Sequence, residues 1–227
     1  MIINNLKVSY GNNVVIDNLN LSIQDETITC ILGPSGCGKT TLLNAIANNV
    51  EYSGVIDNNQ SPSYVFQEDR LINSITIKKN LEFVMKNKND EIIEKVLQEL
   101  NIYECLDKYP NELSGGQRTR VSIARAYLYG SKLMLLDEPF KDLDVQLKHQ
   151  LLQSLLNLQK ENKTTILYVT HNIDEALLVA DRIIVLNRKP VEIVLDEKIE
   201  LDKNNRNLSH EVLNKVREHI YKDLILI

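Results

Sequence analysis

Gly33-Pro34-Ser35-Gly36-Cys37-Gly38-Lys39-Thr40-Thr41 follows the apolar run Thr27–Leu32 and opens a stretch of helical character from about Gly38 to Ala47. The spacing is G-x-x-x-x-G-K-[ST], and a strand before it with a helix after it is the setting that motif requires. Its glycines let backbone N–H groups turn inward around phosphates, and the start of the helix adds a partial positive charge. Lys39 is then placed to reach the β and γ phosphates of a nucleotide such as ATP, and the Thr40 hydroxyl to ligate Mg2+. Gly33 to Thr41 are thus the candidate phosphate-binding residues. Cys37, at the helix start, reads in two ways: a thiol open to alkylation and protected by Mg-ATP, or a small space-filling residue.

Outward from this turn, the C-terminal half supplies a second motif. Leu133-Met134-Leu135-Leu136 is an apolar, strand-sized run that closes on Asp137-Glu138-Pro139. A strand ending in Asp puts a carboxylate at the sheet edge where ligands bind in folds of this kind. Asp137 is placed to hold Mg2+ through water, and Glu138, pointing another way, to polarise an attacking water. An Asp-Glu pair after a strand is, by itself, a surface turn. Joined to the phosphate loop it becomes the second half of a nucleotide site.

Between and around these motifs the pattern alternates. Ile2–Tyr10 and Val14–Ile23 have β character and flank the turn Gly11-Asn12-Asn13. Val55–Ile56 and Ser63–Phe66 read as short strands. From about Thr76 to Tyr109 the spacing becomes helical, with Ile92, Ile93, Val96, Leu97 and Leu100 on one face. A further helix is predicted from Ser114 to Tyr129. Then follow helix Val145–Glu161, strand Thr165–Val169, helix Ile173–Ala180 and strand Ile183–Leu186. This alternation predicts an α/β fold with a mainly parallel sheet covered on both faces. The central helical stretch reads as an insertion forming its own lobe, and the tail after Leu201, polar and then amphipathic, is expected to pack on the body.

The 227 residues suffice for one well-cored domain with a subdomain, and 43% hydrophobic and 25% charged residues are ordinary for a globular chain. A formal net charge of -5 argues against a nucleic-acid partner held through phosphates, which calls for a basic face. No apolar run is long enough to span a bilayer, and Met1-Ile-Ile-Asn-Asn-Leu-Lys lacks the build of a signal peptide. Cys30, Cys37 and Cys105 form neither a CxxC pair nor a metal set and fit reduced thiols in a cytoplasmic protein.

The two nucleotide motifs define a P-loop NTPase but not its kind. Leu113-Ser114-Gly115-Gly116-Gln117 narrows it, because a simple helix cap explains Ser114 but not the whole run. This segment resembles the signature motif of ATP-binding cassette (ABC) ATPases, and the resemblance extends in order along nearly the entire chain. It implies a P-loop NTPase fold with an N-terminal antiparallel β subdomain and an inserted helical subdomain over approximately 68–130, and a tail over 201–227. It further implies that Tyr10 stacks on adenine and that Gln67, ending the strand Tyr64-Val65-Phe66, is the Q-loop glutamine and a further Mg2+ ligand. Asp144 takes the D-loop position, and His171, ending the strand at Tyr168-Val169-Thr170, that of the switch histidine. Two copies of such a cassette pack head to tail, each ATP lying between one copy's phosphate loop and the other's Ser114, Gly115, Gly116 and Gln117.

Within the family, Gln67-Glu68-Asp69-Arg70-Leu71 and Val169-Thr170-His171-Asn172-Ile173-Asp174-Glu175-Ala176-Leu177 are similar to the nitrate, sulfonate and taurine importers. That similarity implies a peripheral subunit on the inner face of the membrane, coupled to an integral-membrane permease and indirectly to a solute-binding protein. Asn73-Ser74 in place of the usual Pro-Trp, Asp142 in place of a small residue, Thr119 in place of Gln, and a short segment from Ala47 to Val65 depart from that pattern. An exporter, a lipoprotein-release ATPase or a non-transport ABC ATPase would share the catalytic motifs.

Overall fold

The computed structural model describes residues 1–58, 61–141, 143–188 and 190–225. Its first two strands, β1 (Ile2–Tyr10) and β2 (Asn13–Ser22), pair antiparallel across the Gly11 turn. Next come β3 (Ile28–Leu32), helix α1 (Lys39–Ile46), β4 (Ser53–Asp57) and β5 (Ser63–Val65). Three helices follow: α2 (Ile77–Glu82), α3 (Asp90–Glu99) and α4 (Gly115–Leu128). The chain then runs through β6 (Leu133–Asp137), α5 (Val145–Asn162), β7 (Thr165–Val169), α6 (Ile173–Val179), β8 (Arg182–Asn187), β9 (Glu192–Lys198) and α7 (Glu211–Ile225).

Among the described residues, these strands form a three-stranded antiparallel sheet, β2-β1-β4, and a six-stranded sheet, β5-β6-β7-β3-β8-β9. All pairs in the larger sheet are parallel except β8 with β9. The fold is therefore the expected α/β P-loop arrangement with an N-terminal antiparallel sheet. Every residue of β3, β6 and β7 is buried, as strands covered on both faces must be. Their two-residue period divides the core. Leu133, Leu135, Leu167, Val169, Ile184 and Leu186 face α1 and the antiparallel sheet, while Met134, Leu136, Ile166, Tyr168, Ile183 and Val185 face the remaining helices.

Several expectations shift. β9 is an unforeseen antiparallel edge strand; its exposed Glu192 and Asp196 and its charged end blur the apolar signal. The helical stretch from Thr76 breaks into short pieces, and Ile92, expected on the core face of α3, is 46% exposed while Ile93, Val96, Leu97 and Leu100 are buried. β5 and β7 stop at Val65 and Val169, so Gln67 and His171 stand in the loops beyond the strands rather than ending them. Asp142 lies outside the described residues. In the tail, α7 buries Leu213, Val216 and Ile220 against α6, β8 and β9.

Candidate active site

The larger sheet is parallel, so the C-terminal ends of β3, β5, β6 and β7 open on one edge, and each delivers part of the site. The phosphate loop leaves β3 at Gly33. A Cβ there would lie 2.3 Å from the Leu186 carbonyl oxygen, so only glycine lets the turn pass so close to β8. At the far end of the loop Gly38 caps α1 without a side chain, leaving the first N–H groups of the helix to face the turn. Lys39 Nζ donates to the carbonyls of Gly33 at 2.8 Å and Pro34 at 2.9 Å, which holds the ammonium across the loop. The result is a cleft of about 370 Å3 lined by Tyr10, Asn13, Val15, Ser35, Gly36, Gly38, Lys39, Thr40, Thr41, Gln67, Glu138 and Lys141. Sequence reading picked most of these and missed Asn13, Val15 and Lys141, which carry no motif signal of their own.

At the end of β6, Asp137 accepts from the Thr40 hydroxyl at 3.2 Å and from the Tyr64 hydroxyl at 3.4 Å. Burial raises the carboxyl's pKa, and the Thr40 hydrogen bond opposes that rise. Burial, and after it the adjoining Asp137 charge, push the Tyr64 phenol upward, so its hydroxyl remains a donor. The next residue, Glu138, has a φ of 47°, a left-handed backbone that costs about 1–3 kcal/mol for a residue with a side chain. That twist turns Glu138 away from Asp137, and its N–H is secured on the Val169 carbonyl at 2.9 Å. Its Oε2 lies 3.1 Å from His171 Nδ1 and 3.8 Å from Lys141 Nζ.

His171 owes its place to a buried polar network that helical and strand periodicity could not reveal. Glu175 Oε2 accepts from Tyr168 Oη at 2.5 Å and Thr170 Oγ1 at 2.9 Å, and Lys148 Nζ lies 3.2 Å from the same carboxylate. Burial, reinforced by Glu175, holds the Tyr168 phenol far above its ordinary range. Asn172 then caps α6 by accepting from Asp174 and Glu175. The loop is thus pinned on both sides of the histidine.

Ser114, Gly115, Gly116 and Gln117 do not join this cleft. Ser114 and Gln117 form a reciprocal cap on α4: the Gln117 N–H donates to Ser114 Oγ at 3.2 Å and the Ser114 N–H to Gln117 Oε1 at 2.9 Å. A Cβ on Gly116 would lie 2.9 Å from Leu147 Cδ2, so this glycine seats α4 close to α5. Asp144 caps α5 by accepting from Leu147 N–H at 2.9 Å. Farther along α4, Arg118 pairs with Asp69 at 2.9 Å, and Arg125 donates to the carbonyls of Asp69 and Arg70 at 2.9 and 2.8 Å. The segment after Gln67 is therefore tied to the helix that Ser114 opens.

Cys37 is 4% exposed and packs in the core cluster with Ile31, Leu42 and Leu43. The space-filling reading thus fits the structure and ready alkylation does not. Iodoacetamide under native conditions is expected to leave Cys30, Cys37 and Cys105, all buried, largely unlabelled, with labelling appearing on denaturant addition. Peptide mass spectrometry showing Cys37 labelled first, in native protein, would contradict the packing.

The donor chemistry fits a magnesium nucleotide site. Oxygen donors on Thr40, Asp137 and Gln67 suit a hard cation, and no cluster of three or more His, Cys, Asp or Glu able to form an all-protein cage occurs among the described residues. Mg2+ is ordinarily bound in this sparse way, completed by phosphates and water.

A profile of the ABC transporter family matches residues 16–141. The chain belongs to that family and is an ATPase of it. An aliphatic sulfonates import ATP-binding protein of Bacillus thuringiensis subsp. konkukian is 36% identical over 88% of this chain and 85% of its own. A spermidine/putrescine import ATP-binding protein of Mannheimia succiniciproducens is 40% identical over 82% of this chain and 55% of its own length. Among solved structures, the dimeric ABC transporter cassette MJ0796 superposes with a TM-score of 0.78 at 29% identity, covering 88% of this chain and 99% of that one. The same cassette, dimeric with ADP and Pi after hydrolysis, gives 0.76 at 28% identity.

Proposed function

We propose that the chain is the ATP-hydrolysing subunit of an importer, working as a head-to-tail homodimer on the cytoplasmic face of a separate membrane permease. One observation carries the reading. Glu138, Lys39 and Thr40 share one cleft, whereas Ser114 and Gly115 stand exposed outside it at the start of another helix. A second copy, inverted, would bring its Ser114, Gly115, Gly116 and Gln117 to the open side of that cleft. There the helix start can meet the γ phosphate. Val145, beside Asp144, is 84% exposed, which suits a surface covered in such a dimer.

In this reading Tyr10 stacks on the adenine, Gly33 to Thr41 bind the phosphates, and Lys39 leaves the loop carbonyls for the β and γ phosphates. Thr40, Asp137 and Gln67 hold Mg2+, which when bound supplies charge neutralisation to the phosphates. Glu138 orients and deprotonates the attacking water, and His171, hydrogen-bonded to it, holds the carboxylate in place. The residues approximately 68–130 form a subdomain that docks the permease together with the loop after Gln67. Phe83, at the end of α2 and 74% exposed, fits such a contact. The named relatives are import ATP-binding proteins for aliphatic sulfonates and for spermidine/putrescine, solutes with little chemistry in common. The solute is therefore selected by the permease and a solute-binding protein, not by this chain. No helix among the described residues is long and apolar enough to cross a membrane.

A site shared by two chains makes activity depend on assembly. ATP turnover per chain is expected to rise with protein concentration and then to level off as dimers form. Turnover per chain that is flat down to the lowest measurable concentration would mean that one chain carries a complete site.

A further inference from the structure

Tyr64 and Phe66, one residue apart from being adjacent, fall on the same face of the extended segment that leads to Gln67. Their rings stack with centroids 3.9 Å apart and planes 15° from parallel. The Arg70 guanidinium lies over Phe66, its Cζ 3.6 Å from the ring centroid. This ladder is anchored at its outer end. Arg70 has a φ of 46°, its carbonyl and that of Asp69 accept from Arg125, Ser122 Oγ donates to the Asp69 carbonyl at 3.0 Å, and Arg118 holds the Asp69 carboxylate.

At the inner end the Tyr64 hydroxyl reaches Asp137 Oδ2, while Thr40 occupies Oδ1. The two oxygens of a carboxylate turn together about one bond, so a donor on each sets the plane of the group. Ring packing alone would be served by phenylalanine at position 64. Among the described residues, only the contact with Asp137 uses the hydroxyl. Hydrogen-bond partners behind a metal-binding group set its orientation and its affinity for the metal.

We propose that Tyr64 is a positioning residue for the Mg2+-binding carboxylate. Its hydroxyl holds Oδ2 so that Oδ1 faces Thr40 and the cation, and the Phe66–Arg70 stack, pinned to α4, keeps the ring in register. The inference rests on the proposed role of Asp137.

Tyr64→Phe keeps the ring and removes the hydroxyl alone. In a Glu138→Gln chain, which removes hydrolysis from the measurement, binding of a fluorescent ATP analogue is titrated with Mg2+ and, separately, measured in EDTA. Affinity in EDTA is expected to match the parent, while the Mg2+ concentration giving half of the metal-dependent gain rises roughly tenfold. Mn2+ binding with nucleotide, followed by electron paramagnetic resonance, should weaken in parallel. Arg70→Ala, which removes an exposed side chain, should shift the Mg2+ titration in the same direction by less. Asp137→Asn separates the two ways of failing. A shifted Asp137→Asn beside an unshifted Tyr64→Phe overturns the inference alone. An unshifted Asp137→Asn overturns the metal reading of Asp137 and the inference with it. Equal loss of affinity with and without metal in Tyr64→Phe would make its role simple packing and also overturn the proposal.

Discussion

Glu138→Gln is expected to bind MgATP as the parent does, to lose hydrolysis by roughly a thousandfold, and to accumulate as an ATP-bound dimer. The amide keeps the shape of the carboxylate and removes the group able to take a proton from water. The site around it is held independently of that group: the Glu138 N–H is bonded to the Val169 carbonyl, and the His171 loop is pinned through Thr170 and Asn172. The backbone twist at Glu138 should therefore survive, and the phosphate loop is untouched. Phosphate release measured beside size-exclusion chromatography with light scattering would check both halves. A variant that hydrolyses at the parental rate, or that stays monomeric in ATP at concentrations where it binds nucleotide, would remove Glu138 from the role assigned to it.

Where sequence and structure agree, the reason is physical. The phosphate loop was legible because its glycines are demanded by geometry: at Gly33 a single Cβ would strike the neighbouring strand. The parallel core was legible because β3, β6 and β7 are buried on both faces and so are predominantly apolar, with Thr29, Asp137 and Thr165 the polar exceptions. β9 lacked that signature because an edge strand needs only one apolar face and bears charges on the other. Ile92 was misplaced because α3 is short and covered on one narrow side, so an apolar residue beside the buried stripe looks the same in a helical period as one within it.

The candidate site divides in the same way. Lys39, Thr40, Asp137 and Glu138 were found through spacing, since the chemistry requires them at fixed offsets from a strand end. Tyr64 and Lys148 were not found in those roles because each acts through a contact between distant parts of the chain. Thr170 and Glu175, five residues apart, were not found because their bond joins a loop to a helix and so belongs to no single period. Tyr64 and Asp137 are neighbours only because β5 pairs with β6, and Lys148 meets Glu175 only because α5 packs on α6. Cys37 was left open between two readings because its place in the loop suggested reactivity while its burial depends on core residues from β3 and α1.

Ser114→Arg and Lys39→Ala are expected to destroy hydrolysis for different reasons, and the difference tests the proposed sandwich. Ser114 lies outside the cleft that Lys39 lines, so Ser114→Arg should leave nucleotide binding to the monomer close to parental. It should abolish ATP-driven dimerisation of a Glu138→Gln chain, since a large cation replaces the small cap of α4 at the intended interface. Lys39→Ala should weaken nucleotide binding to the monomer itself, because the ammonium that reaches the phosphates is gone. Mixed in equal amounts, the two inactive chains can form a heterodimer with both lesions in one site and none in the other. Random pairing then leaves intact about a quarter of the sites of a parental sample, as two-fold symmetry requires. Because the intact site presents a parental interface on one side only, rescue should grow with protein concentration. Fluorescence titration of nucleotide on each variant, followed by phosphate release from the mixture, decides the matter. If Ser114→Arg weakens monomer binding as severely as Lys39→Ala does, and the mixture stays inactive at every concentration, both residues serve one chain's site and the two-chain arrangement is wrong.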